Sequence, residues 1–292
     1  MLSVYLDRKN MNTYSVFAFM IIMFYTGSCK AVETDSYDSM PVETNTTSHK
    51  VRLSNHESKP EKGQPLNLDL GRYQTMRFIW IKALNMWVGQ FEVTNAQYRR
   101  FDGEHESENY HGLRLNSKQQ PVVSVSWSDA CNYCAWLNRN FRHQLPTGYE
   151  CRLPTEKEWE TFAQCGDGRK FPWGNQWPPS SAWNYRGEEA SRGIFKLLQH
   201  VDILRGHQDN FIASCPVQQS GANEWSLYGV GGNVWEWCQD WFDKDRITRV
   251  LRGASWGNYQ QKIIAITYRN DANPYRDSEL VGFRVVIGPI GL

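Results

Sequence analysis

No histidine follows His207 and no cysteine follows Cys238, so the C-terminal stretch of the 292-residue chain has neither an imidazole base nor a thiol. Chemistry that needs either group cannot be built from that stretch alone. Charge of neither sign is in excess: 32 Lys and Arg against 31 Asp and Glu leave a formal charge of +1, and no Lys/Arg run forms a basic patch. A phosphate backbone finds no electrostatic footprint here, which excludes nucleic acid as a partner. The sequence has no H-E-x-x-H, no P-loop and no glycine fingerprint for dinucleotides after a strand, so it carries no zincin, P-loop NTPase or dinucleotide-binding signature. It has no regular repeat that would build a solenoid.

What is present is a 40% hydrophobic chain with 13 Trp, enough to fill a sizeable core. Its longest apolar run, Tyr14 to Tyr25, follows Arg8 and Lys9 and meets Thr26, Gly27 and Ser28 just before Cys29. The run is too short to span a membrane comfortably and has the grammar of an export signal over residues 1–29. Small residues before a cysteine are similar to a bacterial lipoprotein cleavage box, with Thr26 in the place of the usual leucine. Acylation of Cys29 and anchoring at the bacterial cell surface, on the outer membrane, follow as expectations; a plain secretory signal is the alternative. Residues 30–65 are rich in Ser, Thr, Glu, Asn and Lys and too poor in apolar side chains to order themselves, as expected of a tether.

Without Cys29, six cysteines remain: Cys131, Cys134, Cys151, Cys165, Cys215 and Cys238. An even number suits an oxidising compartment, and fifteen pairings are open to it. Cys131 and Cys134 form a C-x-x-C inside an expected helix, with no second pair to complete a zinc site. Buried thiols or structural disulfides are both expected.

The folded head occupies 66–292. Residues 78–101 alternate apolar and polar through Trp87, then take helical spacing after Thr94, a candidate N-cap. Ser126 with Asp129, and Thr155 with Glu158, read as capping boxes. The helices they open would turn Ala130, Cys134 and Leu137, and Trp159 and Phe162, inward. Beyond them the text is rich in Gly, Trp and Pro, with strand-like pieces only at 249–252 and 282–287. Few helices, short strands and much irregular loop make an α+β protein.

Gly253, Ser255 and Gly257 spell G-x-S-x-G, the nucleophile elbow of serine hydrolases. That elbow needs a following helix and a downstream histidine; the residues after Ser255 do not read as a helix, and no histidine follows it. Tight turn geometry is the simpler account of the glycines. His105 and His111 stand among carboxylates in "HESENYH", where a polar surface loop is the simpler account of a spacing that specifies little.

The segments "VGQFEVTNAQYRRF", "PVVSVSWSDACNYCAWLN", "RLPTEKEWE", "FPWGN", "GVGGNVWEWCQDWF", "RVLRGASW" and "VGFRVV" follow one another between residues 88 and 286. In this order they resemble the formylglycine-generating enzyme (sulfatase-modifying factor) family. The resemblance implies that family's variant of the C-type lectin fold. It also implies a test of activity, because the enzymes bind copper(I) through two cysteines shortly after the element matched here by Gly253, Ala254, Ser255 and Trp256. Those positions fall on Asn258 and Ile263, which cannot supply thiolates to a soft cation. The expectation is a protein that is not an enzyme and has no catalytic residues; an oxidase using another cysteine, such as Cys238, is the alternative.

The segment "GNYQQKIIAITYRNDANPYRDSEL" (257–280) sets tyrosines among Asn, Ser, Gly and Asp, a composition suited to binding faces. Its arrangement also resembles the variable lipoproteins diversified by diversity-generating retroelements, in which template adenines are miscopied near the end of a gene. That resemblance implies a variable region at about 254–280. The displayed positions would be Gly257, Asn258, Tyr259, Ile264, Ile266, Tyr268, Asp271, Ala272, Tyr275, Asp277, Ser278 and Glu279. Tyr259, Tyr268 and Tyr275 would be the hot spots. Arg252, Gly253, Ser255, Trp256, Arg269, Pro274, Gly282, Phe283 and Arg284 would be framework. The expected partner is a protein or carbohydrate, on host or neighbouring cells. No cofactor is required; calcium is the candidate ion, with Glu236 and Asp240 as candidate ligands that lack the remaining oxygens of a full shell.

Overall fold

A computed structural model describes residues 60–191 and 202–291. The expected signal, Cys29 and nearly all of the tether lie outside the described residues. Within these, eleven strands and four α-helices alternate with long loops. No helix among the described residues is long and apolar enough to cross a membrane.

The first sheet begins with β1 (Leu66–Asp69), β2 (Thr75–Ile81) and β3 (Met86–Gly89), an antiparallel meander. Opposed Trp80 and Trp87 meet edge to face at 4.5 Å, and Trp87 meets Tyr149 at 5.2 Å, geometries that aromatic quadrupoles favour. The final strand of the head, β11 (Val286–Pro289), enters between β3 and β6 (Tyr149–Arg152), giving the order β1-β2-β3-β11-β6. A second sheet has the order β10-β7-β8-β9, from β7 (Trp235–Trp241), β8 (Arg249–Arg252), β9 (Asn270–Ala272) and β10 (Val281–Gly282). A small hairpin pairs β4 (Asn109–Tyr110) with β5 (Leu113–Arg114).

All three sequence-derived helix starts carry complete capping boxes: Thr94 with Gln97 on α1 (Asn95–Tyr98), Ser126 with Asp129 on α2 (Trp127–Asn140), and Thr155 with Glu158 on α3 (Glu156–Ala163). Each satisfies N–H groups that the helix itself leaves unpaired. The helix after Thr94 lasts one turn only. Ala130, Cys134 and Leu137, with Tyr133, bury one face of α2, and Trp159 and Phe162 bury one face of α3.

The expected strand at 282–287 is two strands in two sheets. Val281 and Gly282 pair in parallel with Trp235 and Glu236, Phe283 packs its ring against Tyr98 and Tyr133, and the chain then joins β3 and β6. Gly282 is required at the crossing, since a Cβ there would collide with the Val122 carbonyl oxygen. β7, whose Trp235, Glu236, Trp237 and Cys238 are all buried, carries no strand signal in the sequence. A central strand covered on both faces shows no alternation. All six cysteines in the described residues are free thiols.

Candidate binding face

β8 carries the chain out of the second sheet and into the segment of interest. Gly253 and Ala254 both have positive φ, at 98° and 64°. Gly253 tolerates this without strain, whereas Ala254 holds a conformation that its surroundings must impose. The turn is then locked by its own polar groups: Ser255 donates N–H and Oγ–H to Asn258 Oδ1 at 2.9 and 3.0 Å, and Gly257 N–H donates to Ser255 Oγ. Ser255 is fully buried in this turn. It is a structural hydroxyl and not a nucleophile.

Past the turn the segment is bolted down at intervals. One turn of helix, α4 (Gln261–Ile264), and the extended residue after it direct Ile264 and Ile266 into the core, each at 2% exposure. Arg252 donates through Nη2 to the Ile266 carbonyl at 2.6 Å and through Nη1 to Glu156 at 2.7 Å. Ile266 N–H donates to the Lys170 carbonyl. Arg269 donates to both oxygens of the same Glu156 carboxylate, at 2.6 and 2.9 Å, and its guanidinium lies 4.6 Å from the Phe242 ring centroid. Asp240 closes the group by accepting Glu156 N–H at 2.6 Å. Glu156, Glu160, Asp240, Arg252, Thr267 and Arg269 line a polar cavity of about 390 Å³. Pro274, also buried, accepts weakly from Ser128 N–H at 3.4 Å, and the Ser278 carbonyl accepts from Ser124 N–H.

Between these anchors the side chains divide by exposure. Asp271, Tyr275 and Asp277 are exposed, Tyr275 at 82%. Asn258, Tyr259, Tyr268, Ala272, Ser278 and Glu279 are half-buried. Gly257, Ile264 and Ile266 are buried, which corrects the expectation that they are displayed. The isoleucines are apolar anchors, and a Cβ on Gly257 would press on Leu280 at 3.2 Å. Of the isoleucines at 263, 264 and 266, only Ile263 is partly exposed. Gln260, Gln261, Lys262, Thr267, Asn273 and Arg276 are exposed as well and were missed; their polarity beside buried isoleucines was the available signal. Of the expected framework, Arg252, Ser255, Trp256, Pro274, Gly282, Phe283 and Arg284 are buried, whereas Arg269 is exposed and held by its ion pair.

The three tyrosines differ in support. Tyr259 donates its hydroxyl to Asp202 at 2.9 Å, which holds the phenol above its ordinary titration range, and Arg186 lies 5.8 Å from its ring centroid. Tyr268 leans on Trp235, with ring centroids 6.1 Å apart. Tyr275 has its backbone N–H held by Asn273 Oδ1, and its ring stands in solvent.

Glu236 does not offer calcium a site. Both its oxygens face Arg284, at 2.6 to 3.2 Å, and Oε2 also accepts from Trp159 Nε1 at 2.9 Å; Glu236 and Arg284 are both fully buried. Its oxygens are thus already engaged by charge-assisted and indole hydrogen bonds in a buried pair. Asp240, the other candidate and on the same strand as Glu236, is taken up by the backbone N–H of Glu156 on α3. Among the described residues no set of three or more His, Cys, Asp or Glu side chains is arranged to hold a metal ion. Cys238, the alternative for copper, is buried, and burial pushes its thiol well above the usual range.

The family model for the sulfatase-modifying factor enzyme 1-like domain matches residues 57–289. Among curated proteins, the chain is 34% identical over 182 residues to the inactive C-alpha-formylglycine-generating enzyme 2 of Bos taurus, covering 58% of this chain and 50% of that protein. It is 32% identical over 211 residues to the formylglycine-generating enzyme of Streptomyces coelicolor, covering 66% and 58%. The chain thus spans about half the length of the curated relatives it matches, and these include one named as a formylglycine-generating enzyme and one named as inactive. Among solved structures, Treponema denticola variable protein 1 superposes with a TM-score of 0.59 at 20% identity, over 77% of this chain and 99% of that one. PvdO of Pseudomonas aeruginosa superposes at 0.52 and 22% identity, over 70% and 80%. Those two likenesses place the head in the α+β, C-type lectin-like fold of the formylglycine-generating-enzyme type, and with the match over residues 57–289 the chain belongs to the sulfatase-modifying factor enzyme 1-like family.

Proposed function

We propose that the protein is a non-catalytic, surface-displayed binding protein whose segment 257–280 forms a diversified ligand-binding face on a fixed scaffold. The observation that carries this is the division of labour within the segment. Arg252, Ile264, Ile266 and Pro274 fix the backbone from within, while Asp271, Tyr275, Arg276 and Asp277 project from it. Exposed side chains on an anchored backbone can change without disturbing the fold, which is the condition that diversification must meet. Tyr259 and Tyr275 supply stiff contact area, and the neighbouring Asn and Asp residues supply adaptable hydrogen bonds.

The likeness to a structure titled as a variable protein supports the reading, as does the resemblance to retroelement-diversified lipoproteins. The lipid anchor at Cys29, the outer-membrane location and a protein or carbohydrate ligand on host or neighbouring cells are parts of the same proposal. Lack of catalysis is supported by Asn258 and Ile263 at the positions where the resemblance places the copper thiolates. In the structure Asn258 is tied into the Ser255 turn and Ile263 is half-buried. A second reading, a non-catalytic relative with one fixed ligand, is favoured by the inactive mammalian relatives.

Two assays on the purified protein test the proposal. Copper(I) titration with a sulfatase-type cysteine peptide is expected to give no turnover, and formylglycine in the peptide would overturn the non-catalytic assignment. A library randomised at 271, 275, 276 and 277 is expected to keep most members folded with unchanged Tm and to yield binders to unrelated proteins. Loss of folding in most members would remove the basis for diversification.

A further inference from the structure

Away from the C-terminal face, three cysteines line one groove. Cys131 and Cys134 stand on α2 and Cys151 on β6, and with Trp127, Asn138 and Arg249 they line a groove of about 350 Å³. Residues 131, 134 and 138 are spaced by three and four along the helix and so share one face. Asn138 seats that face on β6: its side-chain amide donates to the Cys151 carbonyl and accepts from the Cys151 N–H, each at 2.8 Å. Cys134 lies one helical turn before this clamp, on the side of α2 that packs on β6. Cys134 and Cys151 are buried and Cys131 is partly exposed, so an oxidant in the groove reaches Cys131 first.

We propose that Cys134 and Cys151 form a disulfide when the protein meets a small disulfide oxidant, with Cys131 as the entry thiol. Cys131 loses its proton to water and its thiolate attacks one sulfur of the oxidant. A Cys131–sulfur bond forms, the oxidant's S–S bond breaks, and one thiolate leaves. Cys134 then attacks Cys131 Sγ and expels the second thiolate. Cβ atoms three residues apart on a helix are about 5–6 Å apart, more than the roughly 3.5–4.5 Å of a relaxed disulfide. The strained bond therefore passes on: Cys151 attacks Cys134 Sγ and Cys131 is released as a thiol. In sum two protein thiols give up two electrons and two protons, and one oxidant disulfide becomes two thiols. The bond would staple α2 to β6, and α2 is the helix whose Ser128 N–H reaches the Pro274 carbonyl of the C-terminal segment. Oxidation would thus stiffen the support of the face.

Burial pushes the Cys131 thiol up to about 12 despite the Arg249 guanidinium beside it, and this gives the test a kinetic signature. The folded full-length protein is incubated with oxidised glutathione, alkylated, and mapped by mass spectrometry. The expected result is loss of two alkylatable thiols and a cross-linked peptide pair containing Cys134 and Cys151. Its rate should rise about tenfold per pH unit between pH 7 and 9, as the thiolate fraction does. Cys131→Ser is expected to reach the same cross-link at least tenfold more slowly; peptide mapping of the unmodified sequence decides the pairing even if that variant folds poorly. Full alkylation of every thiol after oxidation, a glutathione adduct on Cys131 as the end point, or a cross-link confined to Cys131 and Cys134 would each overturn the proposal.

Discussion

The buried charges set the terms at the residue scale. Arg284 spends its guanidinium on Glu236, on the Gly89 carbonyl and on the Tyr228 carbonyl, with no exposure to water. Removing one member of such a pair leaves the other charged and unsolvated, so Arg284→Met is expected to destabilise by about 3–5 kcal/mol in urea titration. Glu92, close by, accepts from Asn233 Nδ2 at 2.9 Å, and burial raises its carboxyl to about 7 against the pull of Arg284. The folded state therefore holds a proton there that the unfolded chain has released between about pH 4.5 and 7. Glu92 thus favours the fold at low pH, and this contribution is lost as pH rises through that window, by on the order of 3 kcal/mol. Glu92→Gln should be more stable relative to the unmodified protein at pH 8 than at pH 4.5. Equal differences at both pH values would show that Glu92 is not neutral in the fold.

Among the elements, the ones legible in the sequence are those whose signals are local. Thr94, Ser126 and Thr155 announce their helices because a cap and its partner are three residues apart. Ser126→Ala should cost about 1 kcal/mol, measured by thermal unfolding. Strand β8 was legible at Arg249–Arg252. What the sequence hid was decided at a distance. β9, Asn270–Ala272, has little intrinsic strand preference and is a strand because β8 offers it a ladder. The split of 281–289 between two sheets depends on Gly282 passing the Val122 carbonyl. Gly282→Ala should therefore lower Tm by more than any substitution at exposed Asp271.

For the head as a whole, the family motifs made the fold legible, since they pair core Trp and Gly positions along most of the chain. The candidate face was legible only in part. Composition pointed to the segment, but it could not tell Ile264 and Ile266, which carry the segment into the core, from the displayed positions around them. An isoleucine reads alike as exposed contact or anchor until the Arg252 bond to the Ile266 carbonyl fixes which way the backbone turns. Ile264→Ala and Ile266→Ala are expected to cost about 2–5 kcal/mol each, against about 0.5 kcal/mol or less for Asp271→Ala or Asp277→Ala, read by chemical denaturation. Similar costs at all four positions would dissolve the distinction between anchor and display.

The measurement that tests the central claim most directly is the sequence of the 3′ end of the gene across many isolates. Substitutions should cluster at exposed and half-buried positions such as Asn258, Tyr259, Asp271, Tyr275 and Asp277, with Arg252, Ile264, Ile266 and Pro274 constant and a nearby near-copy differing at adenines. An invariant segment without such a copy, or variation spread evenly over anchors and displayed positions, would contradict the account.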